Sequence, residues 1–140
     1  MTDDSTAPTK RRIGPMIARL LLGLVFFVFG LNGFLHFIPQ PKELPEGVAS
    51  LMGAFIKSGY MFPFVFGTQL LVGVLLLLNR FVPLALVLLA PVLLHILLFH
   101  IFLEPKGLPP GVVATLLELY LAWSYRDAFR PLLKTRTQPN

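Results

Sequence analysis

Asn32, Gln69, His95 and Glu118 are strongly polar side chains deep inside four predominantly apolar runs, one to each run. Two amides, an imidazole and a carboxylate can hold a small ligand by hydrogen bonds or pass a proton, if their helices bring them together. Glu118 is the costliest of the four. A carboxylate at the middle of a membrane helix is disfavoured by about 2.5–3.5 kcal/mol on insertion scales. It therefore needs a partner, and His95 and Gln69 are the best candidates. At a rise of about 1.5 Å per residue, the four fall within roughly 8–15 Å of one membrane face. Two readings fit such a polar layer. One is hydrogen-bonded glue between helices. The other is a ligand or proton site that opens outward.

A second group, His36, His100 and Glu104, lies where two runs end. "LHFIPQPKELPEGV" (Leu35 to Val48) is echoed at an offset of 64 by "FHIFLEPKGLPPGV" (Phe99 to Val112). Pro and Gly stop a helix where it leaves lipid. The echo is either two separate solutions to that problem or the trace of a duplicated hairpin. In both cases His36 and His100 are expected on one outer rim, with Glu104 beside them.

Other chemistries find no footing. His95 and His100 are five apart, about 140° around a helix, so they cannot chelate together from one face. No metal is expected, and nothing in the residues demands a haem between His36 and His100. The Cys count is zero, which removes thiolate and disulfide chemistry. H-E-x-x-H, G-x-S-x-G and P-loop patterns do not occur. The residues assign no catalytic role.

The elements that would position these groups follow from composition. Of 140 residues, 55% are hydrophobic and 14% charged, with mean hydropathy +0.74. Soluble domains carry about 25% charged residues, so lipid is the expected solvent. Apolar runs at Leu20 to Phe37, Met61 to Leu78, Leu84 to Leu103 and Leu108 to Trp123 are each near the length of about 20 residues that a spanning helix needs. They lack the alternation of a transmembrane barrel. Helices are expected at residues 13–38, 60–79, 81–104 and 109–129. The first run is longer than a signal h-region and has no A-x-A site after it, so it reads as a retained helix.

Between the first two spans, Val48, Leu51, Met52, Phe55 and Ile56 recur at helical spacing. Pro45 suits the start of this short helix and Gly59 its end. Residues 46–58 are expected to lie flat at the outer interface. Pro91 sits mid-span, where it can kink the third span and aim His95 inward. Gly23, Gly30, Gly33, Gly67 and Gly73 suit close helix packing.

Four spans put both termini on one side. Nine Lys and Arg fall on that side and three on the other, which makes it cytoplasmic. The net charge of +5 is then explained by orientation and contact with anionic lipid, not by nucleic acid. The fold class is an all-α, integral membrane, antiparallel four-helix bundle with a short outer interfacial helix. Residues 1–12 and 134–140 are expected to be disordered cytoplasmic tails around a transmembrane domain at 13–133.

Three phrases carry a family resemblance. "RLLLGLVFFVFGLNGFLHF", "VGVLLLLNRFVPLALVLLAPVLLHILLFHIFLEPKGLP" and "LAWSYRDAFRPLL" resemble DoxX-family membrane proteins from about Arg19 to Leu133. The resemblance implies a four-helix bundle in the bacterial plasma membrane. It also implies kinship to a subunit of a thiosulfate:quinone oxidoreductase. Relatives often carry an acidic residue at the position of Gln69 and Asn at that of His95. Two function classes follow. One is a non-enzymatic membrane component that anchors a membrane or periplasmic partner, an oxidoreductase for example. The other is a redox subunit that binds quinone or a small sulfur anion at the outer polar layer. Quinone is the one cofactor the resemblance admits. A homo-oligomer is compatible with either class.

Overall fold

The computed structural model describes residues 10–140. Among them every regular element is helical. Helix α1 spans Lys10–Leu35, α2 Glu46–Ser58, α3 Met61–Leu77, α4 Val82–Phe102, α5 Leu108–Ser124 and the short α6 Arg126–Phe129. Single 3-10 turns, Pro105–Gly107 and Arg130–Leu133, precede α5 and follow α6. Helix α1 packs against α3 and α5, and α4 packs against the same two. We call the end that holds α2 the elbow end, and the opposite one the terminal end.

The seam between α1 and α3 is built from small residues. A side chain at Gly30 would meet the Leu70 backbone, and one at Gly73 the Phe27 backbone. Gly23 faces Leu76 and Leu77, and Gly33 faces the Phe66 ring. Positions that climb α1 thus meet positions that descend α3, so the two helices are antiparallel and in backbone contact. Gly67 differs, because its missing side chain opens on empty space. Four of the five glycines that the sequence marks for packing are therefore at contacts.

Arg19 completes the seam. It is 8% exposed. Its guanidinium donates to the carbonyls of Leu76 and Leu77, where α3 ends. Terminal carbonyls of a helix lack intrahelical partners and carry the negative end of its dipole, so a cation is favoured there. The same end is closed by Asn79 in the left-handed region (φ 54°), with Arg80 N–H donating to Leu75 O at 3.0 Å and Asn79 N–H to Leu76 O at 3.3 Å. The turn leads directly into α4, where Pro83 occupies the first turn.

The core lies between the helices, with Leu22, Val72, Leu76, Leu86, Leu89 and Leu121 fully buried. The outer faces are just as apolar. On α4, Leu89 and Leu93 face inward while Leu94 is 58% and Leu98 44% exposed. A helix that is apolar all round yet half uncovered by protein is suited to lipid. Two helices are long and apolar enough to cross a membrane, Arg12–Leu35 of α1 and Val82–Phe102, with a third if α2 and α3 count as one broken span. Helices α3 and α5 are shorter, at 17 residues each.

The boundaries differ from the expected ones in instructive ways. Helix α1 ends at Leu35, not at residue 38. His36 takes a left-handed conformation (φ 54°), and its N–H donates to Asn32 O at 2.8 Å. The last expected span divides into α5 and α6 at Tyr125. Helix α1 begins at Lys10, ahead of the expected start at residue 13; residues 1–9 lie outside the described residues. Residues 134–140 contain no helix or strand.

Candidate functional site

The bend between α2 and α3 creates the main cleft. Gly59 adopts φ 75°, and its N–H donates to Ile56 O at 3.2 Å, which stops α2. Ser58 Oγ donates to Phe55 O at 2.6 Å and accepts from Met61 N–H at 3.2 Å, so one hydroxyl serves both helix ends. The two helices then meet at 93°. Phe55 of α2 reaches across the gap. Its ring packs edge-on to Phe62 at 5.8 Å and lies 6.1 Å from the His95 imidazole on α4.

Below Phe55 lies an outer cleft of about 630 Å³ between α2, α3 and α4. An inner cavity of about 230 Å³ lies among α1, α3, α4 and α5. The two share a wall made of Phe66, Gln69, Ile96 and His100. Neither lining contains Lys, Arg, Asp or Glu. Phe62 and Phe66 stack at 5.4 Å along the α3 side. Aromatic walls with a few polar groups are the usual make-up of a small-molecule site.

Gln69 is the polar group in that wall. It is 6% exposed, and its amide makes no hydrogen bond to any described residue. His95 stands at the mouth of the outer cleft, exposed. His100 is held by its own helix end: Nδ1 lies 3.1 Å from Glu104 O. A carbonyl only accepts, so Nδ1 carries the proton and Nε2 is left free to face the cavities. Gly107 gives this imidazole its space, since a side chain there would coincide with the ring.

The expected polar layer therefore separates into parts. Gln69 and His95 share the outer cleft, and His100 joins them. Asn32 lines neither cavity. Its Oδ1 accepts from Ile38 N–H at 2.7 Å and closes the chain reversal after α1. Glu118 is 7% exposed on the core face of α5, with Oε2 unpartnered, one turn beyond Ala114 of the inner cavity. No hydrogen bond joins any two of Asn32, Gln69, His95 and Glu118. The rim separates as well. His36 is exposed and serves the left-handed end of α1, whereas His100 is half-buried and Glu104 contributes its backbone carbonyl.

Comparison with protein-family models, curated proteins and solved structures finds no match. Three groups escaped the sequence reading. Arg19 reads in the sequence only as a basic residue near a helix end, and nothing in its type announces the α3 carbonyls it meets. The Glu104 carbonyl and the space at Gly107 carry no signal in residue type. Among the described residues, no group of three or more His, Asp or Glu is placed to hold a metal.

Proposed function

We propose that the chain is a DoxX-like integral protein of a bacterial inner membrane that serves as a non-enzymatic component anchoring a partner protein. In this reading α1, α3, α4 and α5 form a transmembrane four-helix bundle, α2 lies at the outer interface, and both termini are cytoplasmic. The carrying observation is the apolar girth of α4, buried on one side and uncovered on the other. Charge supports the orientation, because Arg12, Arg19, Arg80, Arg126 and Arg130 gather at the terminal end. The partner is a membrane protein, a protein of the outer face or a second copy of this chain.

A second reading is favoured by Gln69. An amide without a protein partner that borders both cavities, in an aromatic wall, supports a ligand-binding subunit of a redox assembly. With histidines but no Lys or Arg in either lining, a neutral ligand such as a quinone suits the cleft better than a small sulfur anion.

Purification in mild detergent, with mass spectrometry of what co-elutes, separates the readings. A stoichiometric protein supports anchoring, and a stoichiometric neutral lipid-soluble molecule supports the second reading. The chain eluting with neither overturns both. For the topology, cysteines at Ser5 and Gln138 should resist an impermeant thiol reagent in intact cells, while one at Lys106 should react. Labelling of both terminal positions would exclude the orientation.

A further inference from the structure

We infer that the outer cleft is a lateral binding site for a neutral, lipid-soluble molecule with a carbonyl- or hydroxyl-bearing ring, and that Gln69 holds that polar group. The inference deepens the second reading and rests on it.

Three observations converge on this site. The first is Gln69 itself, nine-tenths buried and unpartnered where the two cavities meet. An amide offers two donors and an acceptor. Leaving them unmade in an apolar site is expensive, so a ligand that supplies the partner gains what the protein alone lacks.

The second is Pro91. Proline has no N–H, so the Val87 carbonyl one turn earlier loses its helical donor. Both residues line the outer cleft. The α4 wall thus holds a backbone carbonyl that lacks its helical donor, and the α3 wall holds an amide. A hydroxyl can donate to the first, and a carbonyl can accept from the second.

The third is the position of the mouth. Phe64 on α3 and Val87, Pro91 and His95 on α4 are lining residues that are also exposed. In the spanning arrangement, a mouth between these two helices opens sideways into the bilayer. A ligand dissolved in lipid reaches it without crossing water. The volume of about 630 Å³ lies within the usual range for small-molecule sites. The stacked Phe62 and Phe66 rings and Phe55 favour a flat head group.

The test uses the full chain in lipid nanodiscs and a photoreactive decyl-benzophenone as probe, an aromatic ketone with an alkyl tail. Labelling should saturate and map by mass spectrometry to α3 and α4 peptides around Gln69 and Ile96. Decyl-benzoquinone should compete, and decylbenzene, which has no polar atom, should compete at least tenfold more weakly. Gln69→Leu should weaken the probe about tenfold, the worth of one buried hydrogen bond. Pro91→Ala gives Val87 an intrahelical donor and makes α4 more regular, so it should fold at least as well and weaken a hydroxyl analogue of the probe severalfold. Saturable labelling of the cleft that decylbenzene blocks equally, with neither substitution having an effect, would identify a site for lipid tails only. That result overturns the inference and leaves the ligand-binding reading standing, as does saturable labelling elsewhere. Absence of any saturable labelling overturns both.

Discussion

His100 Nδ1 lies 3.1 Å from the carbonyl of Glu104, and Gly107 leaves no volume between its own backbone and the imidazole. The elbow before α5 and the orientation of His100 are thus one structure. Gly107→Ala should destabilise the protein by about 1–3 kcal/mol through overpacking. In a His100→Ala background the same change should cost almost nothing. Thermal unfolding of the four proteins of this double-mutant cycle measures the coupling. An equal cost in both backgrounds would separate the elbow from the histidine.

The α1–α3 seam makes a graded prediction. Gly30→Ala and Gly73→Ala force backbones apart and should each cost about 1–3 kcal/mol. Gly53→Ala and Gly67→Ala enter open space within helices. They should be neutral or stabilise by up to about 1 kcal/mol through helix propensity. Unfolding in mixed micelles should rank the four in that order.

Arg19 gives a third test. Arg19→Met removes a charged donor from the end of α3 and should cost about 1.5–3 kcal/mol. Arg19→Lys retains the charge but not the fork, and should fall between Met and the wild type. Hydrogen exchange should report the loss first at the turn around Asn79. Unchanged exchange there would show that the cap contributes nothing.

Glu118 is expected to respond in the opposite direction. Its Oε2 is buried without a partner. Glu118→Leu should therefore leave the fold intact and stabilise it by about 1–3 kcal/mol. A fall in the unfolding midpoint would mean that the carboxylate is bonded in the membrane.

The legible parts of the sequence were those that depend on spacing. Helix α2 could be read because apolar residues recur every three to four positions between Pro45 and Gly59, and it occupies Glu46–Ser58. The end of α1 is not legible, because the apolar run continues to Phe37 while a single left-handed residue, His36, ends the helix. Hydropathy does not register a dihedral angle. The polar residues were found, but their grouping was not. Depth along a helix is set by residue number, whereas the face a side chain takes depends on how each helix is rotated. Asn32 turned toward its own loop and Glu118 toward α5's neighbours, leaving Gln69, His95 and His100 around the clefts. The outer cleft arises at the bend between α2 and α3; Gly59 marks where α2 stops, but no residue type gives the 93° angle at which α3 leaves it.

The pairing of α1 with α3 also decides where the chain can change length. Gly23, Phe27, Gly30 and Gly33 meet Leu77, Gly73, Leu70 and Phe66 in turn. One residue inserted between Gly23 and Gly33 rotates everything beyond it by about 100° and lifts it by about 1.5 Å. Gly30 would then leave the contact and a bulkier neighbour would enter it. The stretch from Pro39 to Leu44, outside any helix and mostly exposed, has no such partner to lose. Natural variation in length, and any tag or reporter placed within the chain, belongs in that stretch, while the seam admits substitution only.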